Sequence, residues 1–254
     1  MILQDSAILN NLDVHGSLRT DNPFEKQYIR ARTRENRMYD DKEVSGLPEI
    51  LSSHPHYTEW QMRKRSSQRL MRYLETKKQP VSVLEIGCGN GWLSHQLSNI
   101  GNVTVTGQDI NFTELQQAAR VFNGQCKLRF IYGDIFNGIL RERKFDVIVF
   151  AASIHYFPSL SRVLAFAVDH LHPNGEIHIL DTHFYKTGET AAAAKRTYTY
   201  YRALGFPEMA DHYFHHSVND LKLFKHKILF DPHSVMSRLL GRNDPFPWVR
   251  IKKG

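Results

Sequence analysis

Glu85, Gly87, Gly89 and Gly91 recur at every second position in the stretch Val83-Leu84-Glu85-Ile86-Gly87-Cys88-Gly89-Asn90-Gly91-Trp92. Residues of these types at this spacing suit the cradling of a ligand. Glycine lets the backbone take positive φ or approach a ligand with no Cβ in the way, and the acidic side chain upstream is a hydrogen-bond acceptor. The run Val81 to Ile86 is almost all apolar or β-branched, as expected of a parallel strand covered on both faces. Leu93, Leu97 and Ile100 follow at helical spacing, so the turn feeds a helix whose free N–H groups point back at it. A nucleotide-like ligand is therefore expected at the carboxyl end of this strand. The dinucleotide-binding form of the turn, G-x-G-x-x-G/A, requires a small residue where this chain has Trp92; the pattern here is E-x-G-x-G-x-G.

The elements that must position this turn read as regular alternation. Strands are predicted at Val81–Ile86, Val103–Gln108, Lys127–Tyr132, Phe145–Ala151 and Glu176–Asp181. Amphipathic helices between them are marked by Phe112, Leu115, Ala119 and Phe122, and by Leu160, Leu164, Ala167 and Leu171. Such βαβ alternation predicts an α/β, doubly wound, mainly parallel sheet. Upstream, one basic helix is predicted over Phe24–Asp41, a connector at Gly46-Leu47-Pro48, and a second helix over Tyr57–Glu75; residues before Asn22 read as polar and aperiodic. Downstream, a helix over Glu189–Leu204 stops at Gly205 and Pro207. Strands at His226–Phe230 and Trp248–Lys252 flank a short helix, Ser234 to Leu240, and a turn at Asn243-Asp244-Pro245. The expected division is an N-terminal helical cap over 1–79 and a main domain over 80–254, with 183–225 inserted as further cap.

A chain of 254 residues with 41% hydrophobic and 23% charged residues has the composition of a soluble globular protein. No apolar run reaches the roughly 18 to 20 residues of a membrane helix, and Met1-Ile2-Leu3-Gln4-Asp5 lacks a signal-peptide pattern, so a cytoplasmic protein is expected. Cys88 and Cys126 fit neither a disulfide framework nor a zinc site. The net charge of +7 lies in the flanks, at Arg30, Arg32, Arg34, Arg37, Arg63, Lys64, Arg65, Arg250, Lys252 and Lys253. These groups would attract an anionic partner or form solvated helix faces; no aromatic-interleaved basic groove or nucleic-acid motif accompanies them. The His212-Tyr213-Phe214-His215-His216 stretch matches no zinc-ligand spacing, so no metal is expected. No feature sets an oligomeric state.

The E-x-G-x-G-x-G turn resembles motif I of the class I S-adenosylmethionine-dependent methyltransferases, and the likeness runs from about Val81 to Phe184. It implies S-adenosyl-L-methionine as cofactor and a Rossmann-like, seven-stranded sheet whose last two strands form an antiparallel hairpin. By the same resemblance Glu85, with Gly87, Cys88, Gly89 and Gly91, orders the glycine loop. Asp109 closes the second strand and grips the ribose hydroxyls, as a carboxylate that accepts two hydrogen bonds at once can do; Ile110 follows it. Asp134 lies near the adenine amino group, and Ile135 contacts the ring. Phe145 to Phe157 resembles motif IV, where Ala151 borders the methionine end of the cofactor. Leu171-His172-Pro173-Asn174-Gly175 resembles the turn before the fifth strand. Ala151-Ala152-Ser153-Ile154 replaces the D/N-P-P-Y/F tetrapeptide of enzymes that methylate planar nitrogens, which points away from nucleic-acid bases and towards a bacterial small-molecule type.

Methyl transfer from a sulfonium mainly needs an aligned nucleophile and exclusion of water, with a base only where the nucleophile starts protonated. His155 follows the fourth strand and is the first candidate base, with His183 and Tyr185 after the fifth strand next. Tyr198, Tyr200, Tyr201, Tyr213 and Phe214 are expected to give the cap an aromatic lining, and Arg63 or Arg65 to meet the cofactor carboxylate or an acidic substrate. The expected reaction moves a methyl group to an O, N or C nucleophile of a small molecule or a lipid or saccharide precursor. Two other readings stay open: a catalytically silent binder built on the same fold, and a nicotinamide-dependent oxidoreductase, which would need the absent G-x-G-x-x-G.

Overall fold

The computed structural model describes residues 11–15, 23–234 and 244–253. Eight strands form one sheet: β1 (Leu12–Val14), β2 (Val81–Ile86), β3 (Val103–Asp109), β4 (Leu128–Tyr132), β5 (Phe145–Ala151), β6 (Leu171–Leu180), β7 (His226–Phe230) and β8 (Trp248–Lys252). Their spatial order is β1-β4-β3-β2-β5-β6-β8-β7. The first six strands in that order run parallel, and β8 and β7 pair antiparallel at one edge. The chain leaves β2 towards β3 and β4, then returns to β5 on its other side. The carboxyl end of β2 is therefore a topological switch point, the place where doubly wound sheets bind ligands.

Seven strands were expected and eight are present among the described residues. The additional one, β1, is three residues long in a stretch read as aperiodic. It is fixed by pairing with β4 and by Asn11, whose side chain donates to the Ala119 carbonyl at 3.2 Å, not by any pattern of its own.

Burial alternates along β2. Val81 and Val83 face a cluster with Leu70 and Leu74 of α3 (Tyr57–Glu75), Leu93 and Leu97 of α4 (Trp92–Ser98), and Leu115 and Ala118 of α5 (Phe112–Val121). Leu84 and Ile86 face the opposite cluster, with Ile148 and Phe150 of β5 and Leu160, Val163 and Leu164 of α6 (Leu160–Asp169). The sheet is thus buried on both faces, which is why its strands read as nearly continuous apolar runs.

Upstream, the single helix expected over Phe24–Asp41 is two, α1 (Pro23–Arg34) and α2 (Asp41–Gly46). Asn36 takes a left-handed φ of 56° and breaks the first. Asp40 starts the second through a reciprocal capping box with Glu43. The helix α7 (Thr190–Leu204) ends at Gly205, whose φ is +87°. Ala31 of α1, Tyr201 of α7 and Met209 form a third, smaller cluster with Phe24, Tyr28, Leu204 and Tyr213, which binds α1 to the 183–225 segment. Within β6, the register against β5 slips between Leu171 and Glu176, and Asn174 adopts a φ of 65° there, so the His172 region is a structural bulge. The helix expected over 234–240 and the turn residue Asn243 lie outside the described residues, apart from Ser234. No described helix is long and apolar enough to cross a membrane.

Candidate functional site

A cleft of about 430 Å³ opens at the carboxyl ends of β2, β3 and β5. Its floor is the turn after β2. Gly87 takes a φ of +74°, and a Cβ placed there would lie 2.5 Å from the Ser153 Cβ. That close approach fixes the turn against the chain leaving β5, where the Ser153 hydroxyl donates to the Ile86 carbonyl at 2.6 Å. Gly91 also has positive φ, and a Cβ on it would meet Phe130 at 2.7 Å and Ala118 at 2.8 Å. Gly91 therefore lets the start of α4 pack on the sheet and does not line the cleft.

Asp109 closes the second side. Its Oδ2 accepts the Gly89 N–H at 2.7 Å and its Oδ1 the Asn111 N–H at 2.8 Å. Each oxygen keeps a second lone pair for another donor. Asn111, not Asp109, is the N-cap of α5, so Asp109 stays available to the cleft. Glu85 sits beneath the loop and accepts the Ser94 hydroxyl at 2.6 Å. Burial, reinforced by the nearby charge of Asp109, pushes its carboxyl up to about 8. Glu114, on α5, accepts from Asn111 Nδ2 at 2.9 Å, and burial followed by repulsion from Asp109 raises it to about 7. Burial also raises Asp109 and the Cys88 thiol. Three carboxyls held above their ordinary range around one glycine turn form a pocket that a cationic ligand would relieve.

The rim is completed by Ile110, which is 38% exposed, and by Asp134, Ile135 and Phe136 after β4. Asp134 accepts the Phe136 N–H at 2.9 Å and so caps the turn carrying the apolar pair. Ala151, Ala152 and Ser153 form the wall after β5, and Ala152 holds a φ of 53°, a strained conformation at the pocket edge. The residues lining the cleft fit an adenosyl ligand: a turn whose Gly87 leaves no room for a Cβ, a carboxylate with free acceptor capacity, and the apolar side chains of Ile110 and Ile135.

A family model described as a methyltransferase domain matches residues 83–175, the segment that carries the turn, Asp109 and Asp134. Over that segment, well under half of its length, the chain is similar to the class I S-adenosylmethionine-dependent methyltransferases. Among curated relatives of this chain is malonyl-[acyl-carrier protein] O-methyltransferase of Halalkalibacterium halodurans, 27% identical over 148 residues, 54% of each chain. Another is phthiotriol/phenolphthiotriol dimycocerosates methyltransferase 1 of Mycobacterium ulcerans, 32% identical over 100 residues, 39% of this chain and 36% of that one. The chain thus spans about half or less of the length of these relatives. Among solved structures, the plantazolicin methyltransferase BpumL in complex with SAH superimposes with a TM-score of 0.55 at 18% identity, covering 91% of this chain and 97% of that one. That likeness is one of fold.

Of the expected cofactor residues, Glu85, Gly87, Cys88, Gly89, Asp109, Ile110, Asp134, Ile135 and Ala151 all line the cleft, and Gly91 supports it from behind. The expected bases lie elsewhere. His155 is buried outside the lining, its ring stacked 4.3 Å from that of Tyr213, and burial, aided by Arg32 and Arg63, lowers it to about 3. His183 is exposed and rests its ring edge on Tyr185, and Tyr185 bridges to Ser217. None of the three reaches the cleft, because the chain turns into a short 3-10 helix after Ser153 that directs Tyr156, and not its neighbour His155, towards the opening.

The aromatic lining also differs from expectation. Tyr198 and Tyr200 are exposed, Tyr201 and Tyr213 belong to the third cluster, and Phe214 lies outside the lining. The lining rings are Phe24, Tyr28, Tyr39, Trp60, Trp92, Phe136, Tyr156 and Phe157. Arg63 lines the cleft and pairs with Glu59 at 3.0 Å, whereas Arg65 turns away to Asp244 at 2.5 Å. Glu114, Tyr28, Arg32 and Tyr156 were missed as site residues. Only Glu114 had a local signal, three residues beyond Asn111 on the helix that follows Asp109.

Proposed function

We propose that this chain transfers a methyl group from S-adenosyl-L-methionine to a small molecule or a lipid or saccharide precursor. The observation that carries this reading is the paired hydrogen bonding of Asp109 to Gly89 and Asn111 at the switch point of the sheet, which leaves the carboxylate open to two ribose hydroxyls. When bound, the cofactor supplies an electrophilic methyl on a sulfonium.

The residues of the chain have separate tasks. Asp109 and the glycine turn bind the nucleoside, and Asp134, Ile110 and Ile135 hold the base. Arg63 is the cation suited to the amino-acid carboxylate: it lines the cleft and shares Glu59 with Arg37, so Glu59 does not neutralise both guanidiniums. The N-terminal helices and the 183–225 segment, joined through the cluster at Tyr201 and Met209, cap the cleft and keep water from the reacting atoms.

The reading is tested by titrating the chain with S-adenosylhomocysteine in a calorimeter, then incubating it with methyl-labelled cofactor and fractionated cell extract. Binding with label transfer supports a methyltransferase. Binding without transfer supports a silent module, and binding of NAD in place of the nucleoside supports an oxidoreductase.

A further inference from the structure

The wall of the cleft opposite the glycine turn is unusually rich in guanidinium and poor in proton acceptors. Arg32, from α1, reaches across to the Tyr156 hydroxyl, to which its Nη2 donates at 2.9 Å. The two residues are 124 positions apart in sequence, so this bond ties the N-terminal helix to the turn after β5. The Arg32 guanidinium also lies 4.9 Å from the centre of the Tyr28 ring, and Phe24 packs edge-on against Tyr156 at 6.2 Å. Together they form an aromatic stretch of the cleft lining with a forked cation beside it.

The charges around that stretch do not cancel. Arg32, Arg37 and Arg63 face Glu35 and Glu59, with Arg32 to Glu35 at 3.1 Å, Arg37 to Glu59 at 2.6 Å and Arg63 to Glu59 at 3.0 Å. Three cations share two carboxylates. The other titratable groups facing Arg32 are Tyr28 on its own helix, Glu114 from α5, His155 and Tyr156 after β5, and Tyr200, Tyr201 and Tyr213 from the 183–225 segment; burial keeps His155 neutral. Burial raises all five tyrosines, so they are neutral near pH 7, and it raises Glu114 to about 7. The lining contains no histidine and no lysine among the described residues.

We propose that the methyl acceptor is an oxygen acid that binds already deprotonated, a carboxylate or an acidic phenol or enol on a planar apolar body, with its oxygen held by Arg32 and the Tyr156 hydroxyl. This assignment rests on the methyltransferase reading above and narrows it. An amine is the wrong partner for this wall: methylation leaves a cation on its nitrogen beside Arg32, and like charges repel. With an anionic oxygen the balance closes without a base. The oxygen lone pair forms the new O–C bond as the C–S bond breaks, the electron pair of that bond stays on sulfur, and the two opposite charges cancel with no proton moved. Arg32 and Tyr156 position and hold the anion, which accounts for a cleft with no imidazole in it.

The experiment uses 4-nitrophenol, whose absorbance reports its own ionisation, with the full chain saturated with S-adenosylhomocysteine. The titration midpoint of the bound probe is expected to fall by about 1 pH unit below that of the free probe, as an adjacent cation requires. It should return towards the free value in Arg32→Gln, and part of the way in Tyr156→Phe, a change that removes one hydroxyl and leaves the ring packing in place. Benzoate should displace the probe and benzylamine should not; displacement by benzoate with weak probe binding marks a carboxylate acceptor, the reverse a phenol. An unmoved or raised midpoint, equal displacement by benzylamine, or no binding of either anion at millimolar concentration overturns the proposal. Calorimetry of S-adenosylhomocysteine in the same samples separates the two levels, since loss of nucleoside binding removes the methyltransferase reading itself, and retained binding with an unmoved midpoint removes the acceptor assignment alone.

Discussion

The Gly89 N–H donates to Asp109 Oδ2 at 2.7 Å, so the glycine turn after β2 and the carboxyl end of β3 hold one another across the floor of the cleft. The same carboxylate orders the turn and faces the ligand. Its position follows from the pairing of β2 with β3, in which Glu85 lies beside Gly107 and Ile86 beside Gln108; the next residues on each strand are then brought to one edge.

The glycines of the turn should separate by substitution. Gly91→Ala brings a Cβ within 2.8 Å of Phe130 and Ala118 in addition to its positive φ, and is expected to lower stability by about 2–4 kcal/mol. Gly89→Ala meets only the Glu114 carboxyl, at 3.6 Å, so it should cost about 1–2 kcal/mol of stability from backbone strain while impairing nucleoside binding. Urea unfolding and calorimetry on both variants check the contrast; equal stability losses would contradict it.

Glu85 makes a prediction about alkaline pH. Its carboxyl is raised from 4.5 to about 8, mainly by burial, so folding favours the protonated form. Its contribution is complete below the unfolded value and is lost as pH rises through the folded one. Without ligand, stability should therefore fall between about pH 5 and 8, and Glu85→Gln should flatten that fall by an amount on the order of 3 kcal/mol. Parallel pH curves for the two proteins in chemical denaturation would refute the assignment.

Glu176 makes the opposite prediction. Burial alone would raise it, but the nearby His178 at 3.5 Å and hydrogen bonds from Tyr73 and Lys77 dominate and hold it well below the usual carboxylate range; Lys77 lies at 3.0 Å and Tyr73 at 2.7 Å. A lowered folded value means stability present above the unfolded value and lost as pH falls through the folded one. Glu176→Gln should remove that acid-side loss below about pH 4.5 while leaving nucleoside binding intact, since the residue lies at the β6–β8 edge. Retention of the full acid-side slope in the variant would contradict this.

His155 should not shape the pH dependence of turnover. With its ring stacked on Tyr213 and its imidazole lowered to about 3, it stays neutral across the working range. The pH–rate profile of His155→Gln is expected to keep the form of the wild-type profile even where the rate itself drops through altered packing. Loss of an ionisation between pH 6 and 8 would restore it as a base.

The core of the fold was legible because two-sided burial writes itself as apolar runs, as in β2 and β5, which fall at the predicted bounds; β7 and β8 also fall at theirs, although β7 is a largely exposed edge strand, and α3 begins at Tyr57 and ends at Glu75 as expected. The cradle was legible for a related reason, since turn geometry restricts Gly87, Gly89 and Asp109 to particular residue types close together in sequence. What the sequence did not reveal depends on distant pairing. β1 exists only through β4, and the break at Asn36 depends on one backbone conformation. The acceptor-side wall joins Arg32 to Tyr156 across 124 residues, and no local pattern distinguishes Tyr156, which lines the cleft, from His155 beside it, which does not.

The most direct test of the central claim is the affinity of the chain for S-adenosylmethionine, measured by calorimetry with wild type and Asp109→Ala. Saturable one-to-one binding by the wild type, weakened in the variant by about 1–3 kcal/mol with the fold retained, is the predicted result. Absence of binding by the wild type, or an affinity unaltered by the substitution, would contradict the account.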